Sequence, residues 1–555
     1  MLKVPANTLK RLIQRTGFLL LLVLVSYFLA LKTEPTGIRN DTVHYVSGAR
    51  NVLAGHGVSS DIAYYDLQHR LGRLPVPITD WPPGVPLLIA VFVVPGFDGF
   101  TSALMVNYLC LLVSLWVVYR ILMLRGVRST TRFVATAMLV VYLPSWRFAC
   151  DGGSTMPMVF CTLLSFYFLQ RWDTDLNADQ NTSLPESSRT SSQSVNCDLW
   201  MCGVFAGAAF SMRYAGLFFI ASLGLFLVID WIRKRTWESF RNFIRVVIPI
   251  VLISGVVLGR NVYHVNSLFG RPKSAINVAS PLSEQITWTL SLLSGISLSA
   301  LSAANPFAII AAVAVAICIP LCAFGLWASR RNSKPTARLP AIYVSFSIVS
   351  LVGCSAAFQF EFVQPRYLVA IVPFVLILLA EALDQVWSEK PAHIARWMPG
   401  VLLVLCFTGQ LRTYWYADKS ALRNERVRTA LQASVGDSTI GDLLNDVTTR
   451  THPLLTDRPQ EIALVIDRPT IGIATAEFSR KVLTSKEARQ MMESFGAQRV
   501  FLLKALFDET EPTRSNQVFF ADLKNGRIPR WLRTIYSNEN IGLYERVDSG
   551  KSPAE

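Results

Sequence analysis

Asp41 stands in the segment Ile38-Arg-Asn-Asp41-Thr-Val-His44-Tyr45. Asp41, Tyr45, Ala49, Val52 and Leu53 recur at helical spacing, and Gly55-His56-Gly57 halts the pattern. A carboxylate opening such a helix can act as a general base or activate an acceptor nucleophile. It can also simply cap the helix, a role that suits Asp. Three arginines carry a second kind of chemistry. They are Arg213 in Ser211-Met-Arg213-Tyr214-Ala-Gly216, Arg260 in Arg260-Asn261, and Arg366 in Gln364-Pro-Arg366-Tyr367. A guanidinium grips phosphate oxygens with two parallel hydrogen bonds. The plainer alternatives are snorkelling for Arg213 and contact with ordinary phospholipid headgroups for Arg260 and Arg366. Thr79-Asp-Trp81-Pro82-Pro83-Gly84-Val-Pro86 leads into apolar Leu87 to Val94. That run is too short to span lipid, so it reads as an interfacial or re-entrant helix, or as an entry turn with a Trp anchor. His44, His56 and His69 fit no zinc spacing and read as surface or capping residues, so no metal site is assigned. There is no Gly-rich phosphate loop, GxSxG or HExxH.

The elements that must hold these residues follow from composition. The chain has 555 residues, of which 52% are hydrophobic and 16% charged. A soluble surface normally needs about 25% charged residues, so most of this chain must face lipid. Apolar runs lie at Gly17–Leu31, Ser102–Leu124, Arg132–Trp146, Met156–Trp172, Leu199–Met212 and Ala215–Trp231. Further runs lie at Phe243–Tyr263, Ser302–Trp327, Leu339–Phe358, Tyr367–Val386 and Trp397–Thr413, which predicts eleven spans. With the N-terminus in the cytoplasm, the clusters Arg125-Arg128-Arg132, Arg233-Lys234-Arg235 and Arg330-Arg331-Lys334 all fall inside. Asp41, Trp81, Arg213, Arg260 and Arg366 then share the outer face. A site there has no ATP or cytosolic nucleotide sugar, so an activated group must arrive on a lipid.

The expected organisation is a membrane domain over residues 1–413 and an extracytoplasmic α/β domain over 414–555. The first outer loop covers 32–100, and the Ser/Thr/Asn-rich stretch 173–196 reads as a flexible cytoplasmic linker. In the tail, strand-like Pro453–Leu455, Thr470–Ala474, Val500–Leu503 and Gly542–Val547 alternate with helix-like Ala421–Ala433, Pro459–Ile466 and Ser485–Phe495. The net charge of +15 is not a nucleic-acid footprint, because the tail from Tyr414 holds 20 Lys+Arg against 19 Asp+Glu. The nine Cys show neither a disulfide framework nor CxxC metal spacing.

In this order and sidedness the motifs resemble the GT-C membrane glycosyltransferases, in the branch of the protein O-mannosyltransferases and aminoarabinose transferases. The resembling pieces are Asp41-xxx-Tyr45 with Gly55-x-Gly57, Trp81-Pro82-Pro83-Gly84, Gly207 with Arg213-Tyr214-x-Gly216, Arg260-Asn261 with Gly270, and Arg366-Tyr367 with Pro373. In the tail, Leu455-Thr-Asp-Arg-Pro459 with Asp467-Arg-Pro469 looks like the soluble domain of bacterial members. The resemblance implies an inner-membrane, multi-pass, inverting enzyme that takes its sugar from a polyprenyl-phosphate donor. Asp41 would be the catalytic base, with Arg213, Arg260 and Arg366 on the donor phosphate. Tyr45, Trp81, Tyr214, Asn261 and Tyr367 would support the substrate site. Protein O-mannosyltransferases carry Asp-Glu where this chain has Asp41-Thr42, so the acceptor stays open among lipid, glycan and protein. Beyond donor and acceptor, the expected partners are membrane lipids. No cofactor is assigned, and a divalent metal is compatible. Two rival readings are a transporter or flippase of lipid-linked sugars and an inactive relative that only binds polyprenyl phosphate. A transporter would carry ionisable residues near mid-span or broken repeats, whereas here the charges cluster at one face.

Overall fold

Uncharged apolar segments must satisfy their backbone groups internally, and helices do this in lipid. The structure is a computed structural model. It describes residues 17, 20, 23–27, 40–64, 74–181, 192–269, 335–358, 365–389, 442–444, 451–466, 468–473, 482–504 and 516–547. The first helices are α1 (Asn40–Leu53), α2 (Gly84–Val93), α3 (Gly99–Leu124), α4 (Ser129–Val141), α5 (Leu143–Cys150) and α6 (Thr155–Asn181). After them come α7 (Ser192–Met212), α8 (Gly216–Lys234), α9 (Trp237–Val265), α10 (Leu339–Phe358), α11 (Pro365–Leu368) and α12 (Val372–Glu389). The tail adds α13 (Pro459–Ile466), α14 (Ser485–Phe495) and α15 (Val518–Lys524). The strands are β1 (Ser59–Ser60), β2 (Ile62–Tyr64), β3 (Val76–Pro77), β4 (Leu454–Thr456), β5 (Thr470–Gly472), β6 (Arg499–Leu502), β7 (Leu532–Ser537) and β8 (Gly542–Arg546).

The chain divides into two compact units. A membrane unit comprises Met1–Gly37, Leu104–Arg260 and Asn277–Asp418. A loop–tail unit comprises Ile38–Ala103, Asn261–Ile276 and Lys419–Glu555. Residues 38–103, which take in most of the predicted outer loop 32–100, cluster with the tail.

Among the described residues, α3, α8 and α9 are long and apolar enough to cross a membrane, and the bent pair α4–α5 makes a fourth if taken as one span. Pro144 lies just past this break and supplies no N–H to a continuing helix. Helix α10 coincides with its predicted span. The predicted run Tyr367–Val386 is instead two helices, α11 and α12, with Pro373 accommodated in the first turn of the second. The predicted spans over 302–327 and 397–413, most of the first, and the predicted helix over 421–433 lie outside the described residues.

The stretch 173–196 differs from the predicted flexible linker wherever it is described. Residues 173–181 continue α6, and 192–196 open α7. Polar contacts at and beside its two ends anchor these helices. Buried Asp173 accepts a hydrogen bond from the Thr336 hydroxyl, and Arg171 Nε lies 2.9 Å from Asp198 Oδ2. Helices α6 and α7 pack side by side. Phe168 and Phe205 stack with centroids 5.6 Å apart, and the Ser165 hydroxyl donates to the Cys202 carbonyl over 2.8 Å.

In the loop–tail unit a six-stranded sheet runs β2-β5-β4-β6-β8-β7. The pairs β2–β5, β4–β5 and β4–β6 are parallel, and β8 joins both β6 and β7 antiparallel. Strand β2 comes from the first loop. Ile62 pairs with Thr470 and Tyr64 with Gly472, and the Thr470 N–H donates to the Asp61 carbonyl over 3.0 Å. Ala63 and Val76 join Leu455, Ile471 and Met491 in one core. Predicted helices 459–466 and 485–495 occur with those boundaries, while α15, β2 and β7 were not foreseen.

Candidate functional site

In the loop–tail unit, α1 carries Asp41 as its second residue, partly buried. The carboxylate thus sits in the first turn, where the helix dipole favours a negative charge. Tyr45, one turn on, is fully buried, with its ring edge-on to Trp81 at 6.0 Å. Pro82 and Pro83 lead from Trp81 into α2, which packs on α1 at Gly48. A Cβ on Gly48 would come within 2.7 Å of Ile78 Cδ1 and 3.2 Å of Pro86 Cβ. Helix α2 has ten residues, too few to span, and leaves Leu87 and Val91 exposed on one side. The expected short helix is therefore present, with two apolar side chains of one face exposed.

His44 corrects the surface or capping reading, because it is buried inside this unit. Its Nδ1 lies 3.0 Å from Ser60 Oγ and its Nε2 lies 3.1 Å from Gln460 Nε2. As placed, the amide nitrogen of Gln460 can only donate, so His44 Nε2 accepts and Nδ1–H donates to Ser60. Ser60 Oγ also accepts from the Ile62 N–H over 3.2 Å, and the Trp81 ring lies 5.0 Å from the imidazole. Ser60 and Gln460 carry no signal in the sequence, since Gln460 lies 416 residues from His44. His56 is exposed, and His69 lies outside the described residues. Asn261 is buried and donates from Nδ2 to the Leu268 carbonyl over 2.9 Å, tying down the end of α9.

In the membrane unit, Arg213 follows α7, and a tight hairpin leads to α8. Gly216 permits that closeness, since a Cβ there would lie 2.6 Å from the Ala209 carbonyl carbon. Arg213 Nη1 donates to Ser154 Oγ over 3.0 Å and approaches Thr155 Oγ1 at 3.4 Å. Its Cζ lies 5.2 Å from the Tyr367 ring centroid, and Arg366 Cζ lies 5.4 Å from the same centroid. Two of the three arginines therefore meet on one phenol ring. Arg260 lies within electrostatic reach of Tyr214, whose ring contacts Phe210 edge-on at 5.6 Å. Ser154 and Thr155 were not singled out from the sequence. The available signal was Asp151-Gly-Gly-Ser-Thr155, where Gly152 takes φ +64 and the Gly153 N–H donates to Asp151 Oδ1 over 2.8 Å.

Two kinds of chemistry are therefore present. One unit holds a carboxylate in a helical first turn and, three residues on, a buried imidazole. The other holds paired guanidinium groups of the type that binds phosphate. Among the described residues, no group of three or more His, Cys, Asp or Glu could hold a metal ion.

No family model and no curated protein matches the sequence. Solved structures do match over nearly the whole chain. ArnT from Cupriavidus metallidurans in the apo state aligns with TM-score 0.59 and 14% identity, covering 97% of this chain and 99% of that one. The same protein bound to undecaprenyl phosphate aligns with TM-score 0.55 and 14% identity, covering 97% and 100%. The archaeal oligosaccharyltransferase AglB from Archaeoglobus fulgidus, in complex with an inhibitory peptide and a dolichol-phosphate, aligns with TM-score 0.56 and 10% identity, covering 97% and 75%. The chain thus has the polytopic helical membrane fold of the GT-C glycosyltransferases.

Proposed function

We propose that the chain is an inverting glycosyltransferase that moves a sugar from a polyprenyl-phosphate donor to a lipid, glycan or protein acceptor. Asp41 takes the proton from the acceptor nucleophile as that nucleophile attacks the anomeric carbon. The bond from this carbon to the phosphate oxygen breaks, and polyprenyl phosphate departs with the electron pair. Arg213 and Arg366, with Arg260, hold the phosphate. Because charge grows on the phosphate during the reaction, they stabilise the transition state more than the ground state. Tyr45 and Trp81 brace the helix of Asp41, Tyr214 and Tyr367 brace the arginines, and Asn261 fixes the chain after Arg260. The enzyme lies in the cytoplasmic membrane with its N-terminus in the cytoplasm and its tail outside. The observation that carries this reading is the meeting of Arg213 and Arg366 on Tyr367. A fold shared with one protein bound to undecaprenyl phosphate and another in complex with dolichol-phosphate supports it.

Asp41→Asn tests the proposal. The amide keeps the shape and loses the basicity, and a general base contributes about 10²–10⁴-fold in rate. Purified variant in nanodiscs is expected to bind polyprenyl-phosphate sugar as the wild type does and to turn over slower by that factor. Turnover at the wild-type rate removes Asp41 from the reaction. If the wild-type protein binds donor but transfers nothing to lipid, glycan or peptide acceptors, it is a binding protein only.

A further inference from the structure

Helix α1 has a second functional face. With about 100° per residue, Asp41, Tyr45 and Gly48 lie on one side, and Val43, Val46, Ser47 and Arg50 lie roughly opposite. That opposite side lines a cavity of about 240 Å³ within the loop–tail unit. Drug-sized pockets begin near ~300 Å³, so this one suits a single small ring with polar substituents.

Hydrogen bonds fix Ser47, Asp61 and Arg468 in its wall. The Ser47 hydroxyl donates to Asp61 Oδ2 over 3.0 Å, and the Asp61 N–H donates back to Ser47 Oγ over 2.8 Å. Arg468 is buried and donates from Nε to the His452 carbonyl over 2.9 Å and from Nη1 to the Leu444 carbonyl over 3.1 Å. Arg50 faces the cavity beside Asp98, whose charge it senses. The lining thus sets the carboxylate of Asp61 against two guanidinium groups, one of which, Arg50, also lies within electrostatic reach of Asp98 outside the lining. A strongly anionic ligand would be repelled by Asp61, and a strongly cationic one by the arginines. Val43, Val46, Ile62 and Phe100 supply apolar wall. A carboxylate and a guanidinium set against apolar side chains recognise vicinal hydroxyl groups and a C–H face together, which is the chemistry of a neutral sugar ring.

We infer that the cavity on the far face of α1 from Asp41 is a glycan subsite for one neutral sugar residue of the acceptor. The choice of a sugar rests on the transferase reading, but the binding is measurable without any transfer. The full-length protein in nanodiscs is titrated with methyl α-D-mannoside, glucoside and galactoside by saturation-transfer NMR. Inorganic phosphate and ethanolamine serve as charged probes. At least one glycoside is expected to bind. Asp61→Asn should weaken it at least about tenfold, as for loss of a hydrogen bond to a charged group. Ala463→Phe, which fills the cavity while leaving every polar group, should abolish it, and Asp41→Asn should leave it within about twofold.

Three results overturn the inference. They are no glycoside binding, binding indifferent to Ala463→Phe, or binding lost only in Asp41→Asn. Competition by phosphate or ethanolamine would mean a charged ligand and overturns it as well. Donor turnover on the same samples separates the two failures. Turnover without glycoside binding rejects the subsite alone, whereas glycoside binding without turnover rejects the transferase reading alone.

Discussion

Arg213 and Arg366 lie 5.2 and 5.4 Å from the Tyr367 ring centroid, which puts two phosphate-binding side chains at one ring. Arg366→Ala is expected to weaken donor binding, turnover or both by roughly ten- to over a hundredfold, as for a hydrogen bond to a charged group. Arg366→Lys keeps the charge without the fork, so its loss should be smaller. Donor titration and initial rates distinguish the two, and equal losses would mean that the fork does not matter. Ser154→Ala removes the oxygen that orients Arg213 Nη1. It should cost less than Arg213→Ala and act on the same step. The sequence pointed to Arg213 and Arg366 because arginine at the outer end of a span needs a reason. It did not point to Ser154 or Gln460, because their partners lie 59 and 416 residues away along the chain. His44 was misread for the same reason, since nothing local shows that Ser60 and Gln460 occupy both ring nitrogens.

Element ends carry their own chemistry. Helix α14 begins with a complete capping box. Thr484 accepts from the Glu487 N–H, and the Glu487 side chain accepts from the Thr484 N–H. Its last turn closes on Gly496 at φ +67. Thr484→Ala should destabilise the loop–tail unit by about 1 kcal/mol, read as earlier loss of tail amide protection in hydrogen exchange. At the start of α3, Asp98 Oδ1 accepts from the N–H groups of Phe100 and Thr101, both at 3.0 Å. Hydrogen bonds from Thr101 hold its carboxyl below the usual range, with a smaller contribution from Arg50. Because the native value is depressed, this stabilisation is present above the unfolded value of about 3.9 and is lost as pH falls through the native one. Asp98→Asn keeps a capping oxygen, so thermal stability should become less pH-dependent below about pH 4, and an unchanged acid profile would deny the cap its role. Helix 339–358 was legible as a continuous apolar run of spanning length, and helices 459–466 and 485–495 were legible from their apolar periodicity. Strand β2, only three residues long, shows no period of its own and exists through a distant partner. The stretch 173–181 looked like a linker because its polar residues are unfavourable in an isolated helix, whereas Thr336 supplies a distant partner for Asp173 at its start.

For the whole molecule, pairing of β2 with β5 places the first loop and the tail on the same side of any membrane the chain crosses. The number of crossings between Tyr64 and Thr470 must then be even. Eleven spans put ten between those points, which satisfies the requirement without fixing the count. In a background without accessible native cysteines, single cysteines at His56 and Asn540, both exposed, are expected to react alike with an impermeant thiol reagent on permeabilised cells. If one labels and the other does not, the sheet cannot form as described. The same pairing sets a timetable for synthesis. Ile62 leaves the ribosome about 400 residues before its partner Thr470, which at roughly 5–20 residues per second is about 20–80 s. Throughout that interval the nascent first loop presents an unmatched strand, and the segment bearing Asp41 cannot complete its fold until the membrane helices between have been inserted.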